Sequence, residues 1–133
     1  MSETIADDEI VLRVPASAVY ARIVRVGAAA VALRQGMSFT EIDELRAAVD
    51  QATELLLEEP ASDDAAIECV LRARRGSLEV TARRTDDARV AATSAARFSR
   101  AVSTSNMTVT IDPHEGRLLM RKEISRPGSR PAA

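Results

Sequence analysis

Between residues 56 and 66 the spacing of apolar residues changes from helical to alternating, which confines the chain to folds where helices and strands share one core. Before the change, Ile42, Leu45, Val49, Ala52 and Leu56 form one helical stripe, started by a Ser38-Phe39-Thr40-Glu41 capping box and stopped by Pro60. After it, Ile67, Cys69, Leu71 and Ala73 alternate with Glu68, Val70, Arg72 and Arg74. Arg75-Gly76-Ser77 turns the chain, and Leu78, Val80 and Ala82 alternate with Glu79, Thr81 and Arg83 in a partner strand.

The same two periods place the other elements. Ile10, Leu12 and Val14 give a first strand that Pro15 ends. Ser17 is placed to cap a first helix over Val19–Leu33, closed by Gly36. There Val19, Ile23, Val26, Ala30 and Leu33 fall on one face, widened by Tyr20, Val24 and Val31, and this face is expected to be buried. An Ala-rich stretch over Val90–Ser103 reads as a third helix. Met107, Val109 and Ile111, the turn Asp112–Gly116, and Leu118, Met120 and Ile124 read as a terminal hairpin. The order is β-α-α-β-β-α-β-β, an α/β (α+β) two-layer sandwich with a mixed sheet covered on one face by helices. One domain over 9–124 is expected, with loose tails at 1–8 and 125–133, the latter rich in Pro, Gly and Ser.

Composition narrows the chemistry. Tyr20, Phe39 and Phe98 are the only aromatics, poor material for stacking bases, and Cys69 alone forms neither an internal disulfide nor a multi-thiolate metal site. No run approaches the roughly 18 apolar residues of a membrane span. A cytoplasmic protein with no metal, no nucleic acid and no membrane among its partners is therefore expected. The net charge of −2 hides an asymmetry: residues 1–71 carry 14 acids against 5 arginines, while residues 72–100 carry 8 arginines against 3 acids. Arg72, Arg74, Arg83 and Arg121 are expected on the open sheet face, where they either hold an acidic protein or pair across strands with Glu79 and Glu123. Asp50, Glu54, Glu58 and Glu59 crowd the second helix, with a solvated face as the default. His114 reads as a surface turn residue and Cys69 as a small core residue.

The element order, with the run Leu45-Arg46-Ala47-Ala48-Val49-Asp50-Gln51-Ala52, resembles the anti-sigma-factor serine kinases of the Bergerat-type ATPase superfamily, which control sigma factors and their antagonists by partner switching. In that family the helix reads L-R-L-A-V-D-E-A-x-x-N. Val49, Asp50 and Ala52 match, whereas Gln51 stands for the family's Glu and Leu55 for its magnesium-binding Asn. A carboxamide does not act as a carboxylate base, and an alkyl chain offers no oxygen to magnesium. The family's glycine-rich nucleotide segments are also missing, since no glycine lies between Gly76 and Gly116; Asp86 and Asp87 are the only stand-ins for its adenine-reading Asp.

The resemblance with these departures implies a regulator without catalytic residues or cofactor. It would act by binding a sigma factor, an anti-sigma antagonist or a paralogous kinase, as a homo- or heterodimer. Two alternatives remain at this level: an active serine kinase using ATP and magnesium in a divergent site, and an interaction domain unrelated to transcription.

Overall fold

The computed structural model describes residues 8–86, 88–103 and 107–124; the tails expected at 1–8 and 125–133 lie outside them, apart from Asp8. The elements are β1 (Asp8–Pro15), α1 (Ala18–Arg34), α2 (Phe39–Leu56), β2 (Ala66–Arg74), β3 (Ser77–Arg84), α3 (Ala92–Val102), β4 (Met107–Asp112) and β5 (Arg117–Glu123). Their order is the one the two periods predict. The strands form one sheet in the order β1-β2-β3-β5-β4.

Every neighbouring pair runs antiparallel. The two-layer class stands, but the expected mixed sheet is an antiparallel one, for a reason of connectivity. Two helices in succession, α1 and α2, return the chain to the end of the sheet where β1 finished, so β2 must run against β1. The single helix α3 does make β4 co-directional with β3, yet β5 inserts between them and no parallel ladder forms.

Register fixes which side chains face the helices. One core row runs Leu12, Cys69, Ala82, Leu118, Ile111, and the next runs Ile10, Leu71, Val80, Met120, Val109. Cys69, Leu71 and Leu118 are fully buried. The stripe Ile42, Leu45, Val49, Ala52 and Leu56 of α2 covers these rows, as its spacing predicts. At the start of α2 the Ser38 hydroxyl accepts from the Glu41 amide (3.1 Å), and the Glu41 carboxylate accepts from the Ser38 amide (2.9 Å). Ser17 holds the cap position of α1 without a side-chain capping bond. Gly76 takes the left-handed conformation (φ 81°) that the β2–β3 turn requires.

The expectation for α1 is reversed. Its core side is Ala21, Val24, Ala28 and Ala32, while Val19 (71 % exposed), Ile23, Val26 (63 %) and Leu33 face outward. The helix has two apolar faces, and the one with small residues is turned inward because it lets the axis sit close to the sheet and to α2. Gly27 shows how close: a Cβ there would lie 2.6 Å from Leu12 Cδ1.

Candidate functional site

Gln51 and Leu55, the positions where the resemblance finds the family's catalytic Glu and magnesium-binding Asn replaced, lie on the side of α2 that α3 covers. The buried stripe of α3, Ala95, Phe98 and Val102, brings that helix against α2. Leu55 and Phe98 are 6 % and 4 % exposed and together line a hollow of about 120 Å³ with Gln51, Glu54, Glu58, Ser94 and Arg97. Gln51 also borders a second hollow of about 130 Å³ beside Ala101, Val102 and Met107. Small-molecule sites usually enclose roughly 300–1,000 Å³. Both hollows are smaller than that.

Asp50, the matching acid of the run, points to the other side of α2. It accepts from Arg25 of α1 at 2.9 Å, in a cleft of about 290 Å³ that Arg22, Thr53 and Glu54 also line. Among the described residues no cluster of three His, Cys, Asp or Glu side chains could hold a metal ion.

Arg72, Arg74, Arg83 and Arg121 do share the open sheet face, each with an acid. Arg72 meets Glu9 at 2.7 Å, Arg83 meets Glu68 at 3.1 Å, Arg74 meets Glu79 at 3.4 Å, and Arg121 meets Glu123 at 2.9 Å and Glu79 at 3.5 Å. The register makes the pattern regular. One row across the sheet reads Glu9, Arg72, Glu79, Arg121; another reads Arg13, Glu68, Arg83, Arg117, Asp112. Between them runs Val11, Val70, Thr81, Leu119, Thr110. The face is thus an apolar band between two ladders of largely alternating charge, and the arginines do not add up to a basic patch.

Asp86 is committed elsewhere. The Arg84 guanidinium donates to both its oxygens, Nε to Oδ1 at 2.9 Å and Nη2 to Oδ2 at 2.8 Å, and the Ser62 amide donates to it at 3.3 Å. The Arg84 bonds are the main reason its carboxyl is held down at about 2. Asp87 lies outside the described residues. Arg84 itself is buried under the helix layer and donates to the carbonyl of Leu56 at the end of α2 (2.7 Å) and to those of Glu59 (2.5 Å) and Pro60 (3.1 Å) just beyond it.

Lys122 is a second buried cation. It is fully enclosed on the core face of β5 and pairs with Glu44 of α2. Sequence reading missed both, although the signal was present: Arg84 continues the parity of Leu78, Val80 and Ala82, and Lys122 that of Leu118 and Met120. Cys69 is buried and its thiol is pushed up to about 12 by desolvation, which makes it inert. His114 stands exposed in the β4–β5 turn, its amide bonded to Asp112.

The outer face of α1 is the remaining unexplained surface. Val19, Ile23, Val26, Ala30 and Leu33 repeat at alternating spacings of four and three, and the helix carries Arg22, Arg25 and Arg34 with no acid. Among the described residues no helix is long and apolar enough to cross a membrane. Comparison with protein-family models and with curated proteins finds no match to this chain.

Proposed function

We propose that this protein is a cytoplasmic, non-catalytic regulator related to the anti-sigma-factor kinases, acting by stoichiometric binding to a sigma factor, an anti-sigma antagonist or a paralogous kinase. The observation that carries the reading is Leu55. It stands where the family places its magnesium-binding Asn, and it is buried with Phe98 in the groove that a nucleotide would need. Gln51 beside it supplies no general base. The helix run that resembles the family is kept while its chemistry is replaced by core packing, which leaves contact as the means of action.

The open sheet face suits such contact. Its charge ladders cancel locally, so recognition there depends on matching the rows rather than on net charge, which favours a protein surface over a nucleic acid. Arg72, Arg74, Arg83 and Arg121 are the residues through which that face would be read.

Two measurements test the proposal together. Calorimetric titration with ATP and magnesium is expected to show no binding, and the tagged protein isolated from its own cells is expected to bring down a sigma factor, an antagonist or a paralogous kinase. Micromolar, magnesium-dependent ATP affinity, or phosphate transfer to a serine of an antagonist, would sink the non-catalytic reading. Capture of partners outside the sigma system would leave an interaction domain unrelated to transcription.

A further inference from the structure

We infer that the cleft between the start of α1 and the end of α2 is a binding site for a small free amino acid with an aliphatic side chain. This goes beyond the regulatory reading, does not rest on the resemblance, and is carried by the charges that line the cleft.

The cleft encloses about 290 Å³, more than twice the volume of either hollow beside α3. It stands at the lower edge of the roughly 300–1,000 Å³ of small-molecule sites, so it suits a ligand of few atoms. Arg22 and Arg25 line it from α1, Asp50 and Glu54 from α2. Two cations and two acids give the lining no net charge, which disfavours a plain anion or a plain cation. Arg25 and Asp50 are bonded to each other at 2.9 Å. Arg22 and Glu54 border the same space, yet among the described residues neither has an ion pair or a side-chain hydrogen bond. One ligand that carries both signs satisfies both side chains at once. Arg25 holds a further donor in reserve: its Nε is buried and finds no acceptor among the described residues, which is uncommon for a buried polar atom.

The helix ends set only the direction in which such a ligand lies. The first turn of α1 has no acid and no side-chain cap, and the last turn of α2 has no basic residue. The positive end of one helix dipole and the negative end of the other are thus each open to a charge of opposite sign. A carboxylate belongs beside Arg22 and the start of α1, an ammonium beside Glu54 and the end of α2. The rest of the lining selects the side chain. Ala18, Ala21 and Leu57 are apolar, and the Thr53 hydroxyl already donates to the Asp50 carbonyl at 2.9 Å, so an aliphatic group is matched and a polar one finds no partner.

The test uses the full chain with L-alanine, L-valine and L-leucine as probes, read by calorimetric titration and by the shift of the thermal melt. At least one is expected to bind with a Kd of ~1 mM or tighter. Analogues of the best binder that lack its ammonium or its carboxylate, isocaproate and isoamylamine in the case of leucine, are each expected to bind at least ~10-fold more weakly. Arg22→Gln and Glu54→Gln should each weaken binding by a similar factor, and Ala18→Leu should abolish it by filling the cleft, while Arg100→Gln on α3 leaves it unchanged. All four positions are exposed, so loss of folding does not mimic the result. No binding of any probe at ~10 mM would overturn the inference. So would an analogue with one charge that binds as tightly as its parent, or binding that survives both Arg22→Gln and Glu54→Gln. Capture of a sigma-system protein is measured without these probes, so the proposed function stands or falls separately.

Discussion

Replacing Arg84 by Met removes a guanidinium while keeping an unbranched chain of similar reach, and the structure sets the size of the effect. A guanidinium has five N–H donors, and in Arg84 they supply bonds to the Leu56, Glu59 and Pro60 carbonyls and two to Asp86. Removing one partner of a buried ion pair costs about 3–5 kcal/mol when the other is stranded. Here Asp86 is partly exposed and can regain water, as can the Glu59 and Pro60 carbonyls, leaving the Leu56 carbonyl as the main buried orphan at about 1–3 kcal/mol. The expected loss is about 3 kcal/mol, or about 10–15 °C in Tm for a chain of this size. Urea denaturation followed by circular dichroism at pH 7 reads it.

The pH dependence gives a second check with a definite sign. Asp86 is held at about 2 in the folded protein against an ordinary 3.8, so its contribution is complete above about pH 4 and is lost as pH falls toward 2. The difference between wild type and Arg84→Met should therefore shrink over that window. Arg84→Lys, which keeps the charge without the fork, should lose most of the stability that Met loses. A Met variant within 1 kcal/mol of wild type would show that the latch between β3 and the end of α2 contributes little.

Leu55→Asn, which restores the family's residue, is expected to cost about 2–4 kcal/mol because it puts an amide into the space shared with Phe98, and to give no ATP binding by fluorescence titration; acquired affinity would contradict the closed groove. Cys69 should resist thiol reagents until the protein opens, and stability should fall as pH rises above about 9, since the unfolded thiol ionises near 9 and the folded one near 12; rapid labelling of native protein would refute its burial. Gly27→Ala gains about 1 kcal/mol of helix propensity, and the clash falls on the end of the flexible Leu12 side chain, so thermal melts should shift by only a few degrees, whereas Gly27→Val should destabilise clearly.

Alternation made the sheet legible in advance because parity is a strict geometric rule: Ile67 to Ala82 fall on the faces their positions predict. The rule was abandoned only where a charge stood in a core position, at Arg84 and Lys122, and there geometry outweighed residue type because each cation found a partner, Asp86 and the end of α2 for one, Glu44 for the other. The orientation of α1 was not legible. Both its faces are apolar, and the choice between Ala21, Val24, Ala28, Ala32 and the bulkier Val19, Ile23, Val26, Leu33 is made by how closely the helix can approach Leu12 and α2. Strand direction failed for a related reason, since it depends on how many helices intervene between neighbouring strands. The candidate site was legible as substitutions, Gln51 and Leu55, but not as a closed groove, because nothing local shows that Phe98 will lie beside Leu55.

These outcomes share a cause that bears on function. Leu55 and Phe98 are buried where α3 meets α2, and polar side chains line the hollow beside them. Val19, Ile23, Val26 and Leu33 on the outer face of α1, and Val11 in the open face of the sheet, stay exposed. The charges follow the same logic, because ladders that neutralise one another offer little long-range steering to a small anion yet read strongly against a surface with the complementary spacing. Association through such a face should depend on register more than on ionic strength, so moving one charge by two residues along β1 should weaken it more than doubling the salt does.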